Sequence, residues 1–239
     1  MFDLAVDFGN TTNDRAWQLG YYQENDAILW TPDWYNIFGS DHSDYGYSVA
    51  VNKMTGEIFV TGSSEHPDFF SGGSPTVWVS KFNSSGAMQW TVNLNDGYAP
   101  TDNSHICVDS IGDVIVCLSN YGRNQELYKL RGTDGSALWR ANTDAENVFD
   151  IYDGSVAVDS DDNIIITGED DWNQWVITKL DTSGALQWQN RLRTVNWFGQ
   201  QYENNGTRWT AVYGDHVFTG GTTDAISGCL LYTSDAADE

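Results

Sequence analysis

One phrase recurs along the chain and closes on tryptophan at a fixed interval. Residues 155–188 read SVAVDSDDNIIITGEDDWNQWVITKLDTSGALQW. Residues 48–90 open with SVAVNKMTGEIFVTGSS and end with VWVSKFNSSGAMQW, and residues 106–139 read ICVDSIGDVIVCLSNYGRNQELYKLRGTDGSALW. A fourth copy, residues 2–30, lacks the opening, and a fifth begins at Trp209 with WTAVYGDHVFTGG. The closing residues Trp30, Trp90, Trp139 and Trp188 stand 60, 49 and 49 positions apart. A period of this size marks a repeated supersecondary unit that must bury a face against its neighbours.

Each copy predicts four short strands. Strand A is SVAV, ICVD, SVAVD or WTAVY, and strand B is IFVTG, VIVC, IIITG or HVFTG, rich in the β-branched residues that strands favour. A variable loop leads to strand C (VWVSKF, ELYKL, WVITKL), and a glycine turn leads to strand D (MQWTVNL, ALWRANT, LQWQNRL). Helical periodicity of useful length is missing. Four antiparallel strands repeated every ~50 residues predict an all-β chain of β-propeller type. The Gly-x-x-x-Trp units (Gly86…Trp90, Gly135…Trp139, Gly184…Trp188) predict indoles wedged between blades. Lys81, Lys129 and Lys179 fall at one repeat position and join the tryptophans as structural anchors. Blade units of 2–52, 53–109, 110–159 and 160–213, with a partial unit 214–228, describe an incomplete arc of about 4–5 blades from a larger ring.

The stretch FGSDHSDYGYSVAVNKMTGEIFVTGSS, residues 38–64, resembles the opening of the bacterial seven-bladed β-propeller repeat, the SBBP family. VWVSKFNSSGAMQW and WVITKLDTSGALQW resemble its close, and the Lys-apolar-Asp-x-x-Gly-x-x-x-Trp phrase is similar to quinoprotein-type propeller repeats. Asn52 stands for the usual Asp, and Asp162 for the usual Gly. The resemblance implies secreted or surface proteins of bacteria and their viruses, and no shared catalytic site.

Acidic residues outnumber basic ones 34 to 11, for a net charge of −23. Such a polyanion is repelled by phosphate backbones, which argues against nucleic-acid partners, and no apolar run is long enough for membrane insertion. Residues 229–239 are similar to the conceptual translation of a transposase sequencing adapter. They are expected to be a non-native tail on a shotgun fragment.

Site candidates are few. Asp159, Asp161 and Asn163 cluster oxygen ligands in one turn and suggest calcium, although the distal Glu of an EF-type loop is absent. Asx-rich turns also arise from local backbone bonding. Phe69, Phe70, Trp34 and Trp197 lie in variable segments and are candidates for a binding surface, or for caps on the core. The four histidines, His42, His66, His105 and His216, show no metal-like spacing. Cys107 and Cys117 flank one turn and are read as a disulfide or as two buried thiols. Asn10, Asn83 and Asn205 begin N-glycosylation triplets. Nucleophile elbow, phosphate loop and paired catalytic carboxylates are not found, and neither is a cofactor motif.

These features predict a non-enzymatic propeller fragment of an extracellular, cell-surface or virion protein, acting as a binding or display scaffold. Its expected partners are a protein or carbohydrate ligand and the missing blades of the parent chain. The alternatives are a fragment of a quinoprotein dehydrogenase-like enzyme or lyase, or a periplasmic assembly scaffold.

Overall fold

A computed structural model describes residues 3–7, 17–23, 31–38, 43–65, 76–94, 103–120, 123–142, 152–169, 175–192, 206–214, 216–223 and 228–235. The described residues contain strands and turns and no helix, so none is long and apolar enough to cross a membrane. Two units divide the chain, Met1–Ala99 and Pro100–Glu239.

In the first unit, β1 (Asp3–Asp7), β2 (Trp17–Gln23) and β3 (Thr31–Phe38) form a three-stranded first sheet. The second sheet joins β4 (Asp44–Val51), β5 (Ile58–Ser64), β6 (Thr76–Phe82) and β7 (Met88–Leu94). The second unit holds two more four-stranded sheets. The third is β8 (Asn103–Val108), β9 (Val114–Asn120), β10 (Arg123–Leu130) and β11 (Ala137–Asn142). The fourth is β12 (Tyr152–Val158), β13 (Ile164–Glu169), β14 (Trp175–Leu180) and β15 (Leu186–Leu192). A three-stranded fifth sheet comprises β16 (Gly206–Tyr213), β17 (His216–Thr223) and β18 (Gly228–Asp235). All pairings are antiparallel between sequence neighbours.

Each of the three four-stranded sheets therefore runs from A to D. The unit limits at 52/53, 109/110 and 159/160 cut through A–B hairpins, because strand A pairs with the B strand that follows it. The tail set apart in the sequence is paired as well, since β18 runs along β17 from Thr222↔Cys229 to His216↔Asp235.

Burial explains why single sheets cannot stand alone. Every residue of the middle strands β5 and β6 is buried, whereas the outer β7 is mostly exposed. The middle strands are apolar on both faces, so each face needs a covering sheet. In the second unit β12 packs on β8, β9 and β10, and β16 packs on β12 and β13. One apolar cluster joins Ile115, Cys117 and Leu127 of the third sheet to Val156, Ile164, Ile166 and Val176 of the fourth. Another joins Ile165, Ile177 and Trp188 of the fourth sheet to Val212 and Val217 of the fifth.

The tryptophans take equivalent places. Trp90, Trp139 and Trp188 each lie directly across from a lysine on strand C, namely Lys81, Lys129 and Lys179. Trp139 also shows what the repeated turn glycine does. Its indole rests on Gly184 of the next sheet, where an added Cβ would sit 3.3 Å from the ring, and Nε1–H donates to the Thr182 carbonyl at 3.3 Å. In the first unit Trp34 lies on Gly86 in the same manner, its ring 2.6 Å from an added Cβ. At these two seams an indole of one sheet thus rests on the bare turn glycine of the next. Trp30, named as an anchor, lies outside the described residues.

Candidate functional site

Three lysine–carboxylate pairs mark the A–B turns. Lys129 Nζ lies 2.9 Å from Asp109 Oδ2, and Lys179 Nζ lies 3.0 Å from Asp159 Oδ2. Those carboxylates are the last residues of the A-strand motif, where the second sheet has Asn52. There the charge has moved across the turn, and Lys81 Nζ meets Glu57 Oε1 at 2.6 Å. These ammonium groups are largely buried and paired, so no ring of free cations is offered to an anion.

The oxygens that suggested calcium already have protein partners. Asp159 Oδ1 accepts from the backbone N–H of Asp161 at 2.9 Å and of Asn163 at 2.8 Å. Its Oδ2 faces Lys179 and accepts from Asn163 Nδ2 at 3.0 Å. Burial opposes the charge on Asp159, but the bonds from Asn163 and Lys179 outweigh it and hold the carboxyl below its usual range. Asp109 Oδ1 closes the third sheet's turn in the same way, accepting from Ile111 and Asp113. Protein donors thus engage both carboxyl oxygens of Asp159. No group of three or more metal-ligating side chains is gathered among the described residues.

Asp162 has a role that its sequence position hid. Where the repeat has glycine, it adopts φ 62°, the left-handed region that asparagine and aspartate tolerate. From there Oδ1 accepts from the Ser110 backbone N–H at 2.8 Å, and Oδ2 accepts from the Ser110 hydroxyl. Ser110 belongs to the turn of the third sheet, so Asp162 clasps two sheets together. The departure from glycine was the only sequence signal.

Cys107 and Cys117 are not joined in a disulfide. Cys107 faces Ile115 and Cys117 faces His105, which makes the two thiols diagonal neighbours. Diagonal positions sit roughly 7–8 Å apart, beyond the ~4 Å between Cβ atoms that a disulfide needs. Burial pushes the Cys117 thiol up to about 12 and raises Cys107 as well, helped by Cys117 beside it. Both stay protonated and unreactive.

Of the proposed binding aromatics, Phe69, Phe70 and Trp197 lie outside the described residues. Trp34 belongs to a seam. Half-buried, it packs on Gly86 and on the cluster of Ile58, Val60, Trp78 and Phe82. Another aromatic surface emerges on the fifth sheet. Trp209 and Tyr213 project from one face of β16, 62% and 81% exposed. Their cross-strand neighbours on β17 are Gly220 and His216. His216 meets Phe218 edge-on at 6.4 Å, which completes an aromatic face. Alternation explains the exposure, because Thr210, Val212, Val217 and Thr219 point the other way into the fourth sheet.

No protein-family model matches the sequence, and no curated protein matches it significantly. Solved structures do. A protein assigned as an exo-β-1,3-galactanase from Bifidobacterium bifidum s17 matches 98% of this chain and 88% of its own, at 13% identity and TM-score 0.52. Quinohemoprotein alcohol dehydrogenase from Comamonas testosteroni matches 81% of this chain and 35% of its own, at 13% identity and TM-score 0.46. An engineered GH43 glycoside hydrolase matches 92% of this chain and 45% of its own, at 11% identity and TM-score 0.45. The chain has a β-propeller fold. The expectation of a non-enzymatic protein is corrected here, since a structure that aligns along 98% of the chain is that of a protein named as an enzyme. At 13% identity the likeness carries the fold and no particular activity.

Proposed function

We propose that this chain is an arc of a larger propeller in an extracellular, cell-surface or virion protein, where rigid sheets hold variable loops against a protein or carbohydrate ligand. The observation that carries the reading is the uncovered aromatic face of the fifth sheet. At the third–fourth and fourth–fifth seams, the corresponding face is sealed by strands of the next sheet. Trp209 and Tyr213 remain open on the fifth, and exposed apolar patches of this kind mark interfaces. A further sheet of the same repeat, from the missing blades of the parent chain, has the chemistry to cover it. The resemblance to the SBBP repeat supports a surface setting. A net charge of −23 favours a neutral glycan or a basic protein face over an anionic ligand.

Acrylamide quenching of Trp209 tests the arc, using variants in which Trp209 is the reporter. Trp209 should quench freely in this chain and be shielded in the longer parent polypeptide. Equal quenching in both refutes the arc. For the ligand, a glycan and protein panel read by thermal shift should give a saturable rise for one member. Turnover of a panel sugar would replace display by catalysis.

A further inference from the structure

The turn between β6 and β7 contains Asn83-Ser84-Ser85, and we infer that Asn83 Nδ2 is an acceptor site for N-linked glycosylation. The backbone fixes which way the carboxamide faces. Its outer atom on the turn side accepts from the N–H groups of Ser85 at 3.1 Å and Ala87 at 2.8 Å, and from the Ser85 hydroxyl at 2.8 Å. Two backbone donors require an oxygen there, so Nδ2 faces away from the turn. Ser84 and Ser85 are exposed.

The equivalent turn in the fourth sheet closes without this nitrogen. Asp181 does the same work there, its Oδ1 accepting from Ser183 N–H at 2.9 Å, Ser183 Oγ at 2.6 Å and Ala185 N–H at 2.9 Å. The following glutamines also differ. Gln187 Nε2 reaches Asp181 Oδ2 at 3.4 Å, whereas Gln89 Nε2 turns to the Ala87 carbonyl at 3.1 Å, because Asn83 presents a donor where Asp181 presents an acceptor. An N–H of Nδ2 can therefore be replaced by a sugar while every bond made by Oδ1 persists. The triplet supplies the third requirement, a hydroxyl at the second residue on, already bonded to the amide oxygen.

The chemistry needs an oligosaccharyltransferase and a polyisoprenyl-diphosphate-linked glycan. Nδ2 attacks sugar C1, the N–C1 bond forms, and the C1–O bond to diphosphate breaks. Lipid diphosphate leaves, and one Nδ2 proton goes to the transferase base. Nothing is oxidised or reduced. The biological setting rests on the extracellular reading above, whereas the transfer itself is testable apart from it. The folded chain is incubated with transferase and lipid-linked donor, and tryptic peptides are mapped before and after peptide-N-glycosidase.

Asn83 should carry glycan, and the glycosidase should leave Asp at position 83. Asn83→Asp should abolish that modification and leave the urea midpoint unchanged, as Asp181 implies. Ser85→Ala should lose occupancy, and Ser85→Thr should retain it. Recovery of the Asn83 peptide only in unmodified form overturns the site, whatever Asn10 and Asn205 carry. A large loss of stability in Asn83→Asp would overturn it too, because the nitrogen would then have a structural task.

Discussion

The third–fourth seam and the fourth–fifth seam use the same strands with different fidelity. At the first, Val158 pairs with Ile164 and Val156 with Ile166, and these side chains meet Ile115 and Cys117. Five residues separate the paired ends Val158 and Ile164. At the second, the A–B turn is shortened so that Tyr213 pairs with His216 around Gly214. Val212 then pairs with Val217 and Thr210 with Thr219. Letter for letter HVFTG matches IIITG, which would set Thr219 beside Thr167. The hairpin instead puts Thr219 where the fourth sheet has Ile166. A one-residue offset exchanges the two faces of a strand, so turn length outweighed the strand motif in deciding which side chains enter the seam.

The largest predicted difference lies in the tryptophans. Trp139→Ala removes an indole seated on Gly184 and should lower the unfolding free energy in urea by about 3–5 kcal/mol. Trp188→Ala, in the cluster with Ile165 and Val217, should cost a similar amount. Trp209→Ala in this chain should cost less than about 1 kcal/mol, because the indole is mostly in water. Equal losses at Trp139 and Trp209 would erase the distinction between sealed and open faces.

Two glycines sharpen the comparison. Gly184 and Gly214 both have positive φ, 85° and 58°. A methyl on Gly214 meets nothing within 4 Å, so Gly214→Ala should cost only the conformational strain of about 1–2 kcal/mol. Gly184→Ala adds contact with the Trp139 ring and should cost more. Asp162→Ala comes next. It breaks the clasp on Ser110 while keeping the left-handed backbone, and should cost about 1–2 kcal/mol. Asp162→Gly relieves that backbone and should cost less, which separates the clasp from the strain.

The acid limb of the stability curve distinguishes the turns themselves. Asp159 is held below the usual carboxyl range in the fold, whereas the unfolded chain has about 3.9. Its contribution is therefore complete above the unfolded value and is lost as pH falls through the lower native one. Asp159→Asn should flatten the decline of stability below about pH 4. An unchanged acid limb would mean that the Lys179 pair adds nothing.

Strand order and the seam indoles were legible because the repeat writes them three times. Period, β-branched runs and turn glycines all point to one antiparallel unit. What the sequence hid depends on partners in other copies. Asp162 looked like a tolerated exchange of a turn glycine, since Ser110, the group it bonds, lies 52 residues away. Trp34 looked like a loop aromatic, since the closing position had been given to Trp30. The Asp159 turn was open to two readings, and its partner Lys179 comes from strand C of the same copy. The Asp162 and Trp34 contacts were hidden because each joins one copy to the next.

Thr219 provides the finest test of the shortened turn. Its hydroxyl is buried and has no hydrogen-bond partner among the described residues, as expected of a threonine delivered to an apolar position by the register. The threonines that keep the motif's place are satisfied. Thr61 Oγ1 donates to the Trp78 carbonyl at 3.1 Å, and Thr167 bonds the hydroxyl of Thr210 across the seam. An unpaired buried hydroxyl costs about 1–3 kcal/mol, and an isosteric methyl removes that cost. Thr219→Val should thus raise stability by about 1 kcal/mol. The same exchange at Thr61 should lower it by about as much, because the Trp78 carbonyl would lose its donor. Urea melts of the two variants carry opposite signs if turn length sets the register. A loss at Thr219 would mean that the hydroxyl is bonded as its counterparts are, and that the strand motif had prevailed over the turn.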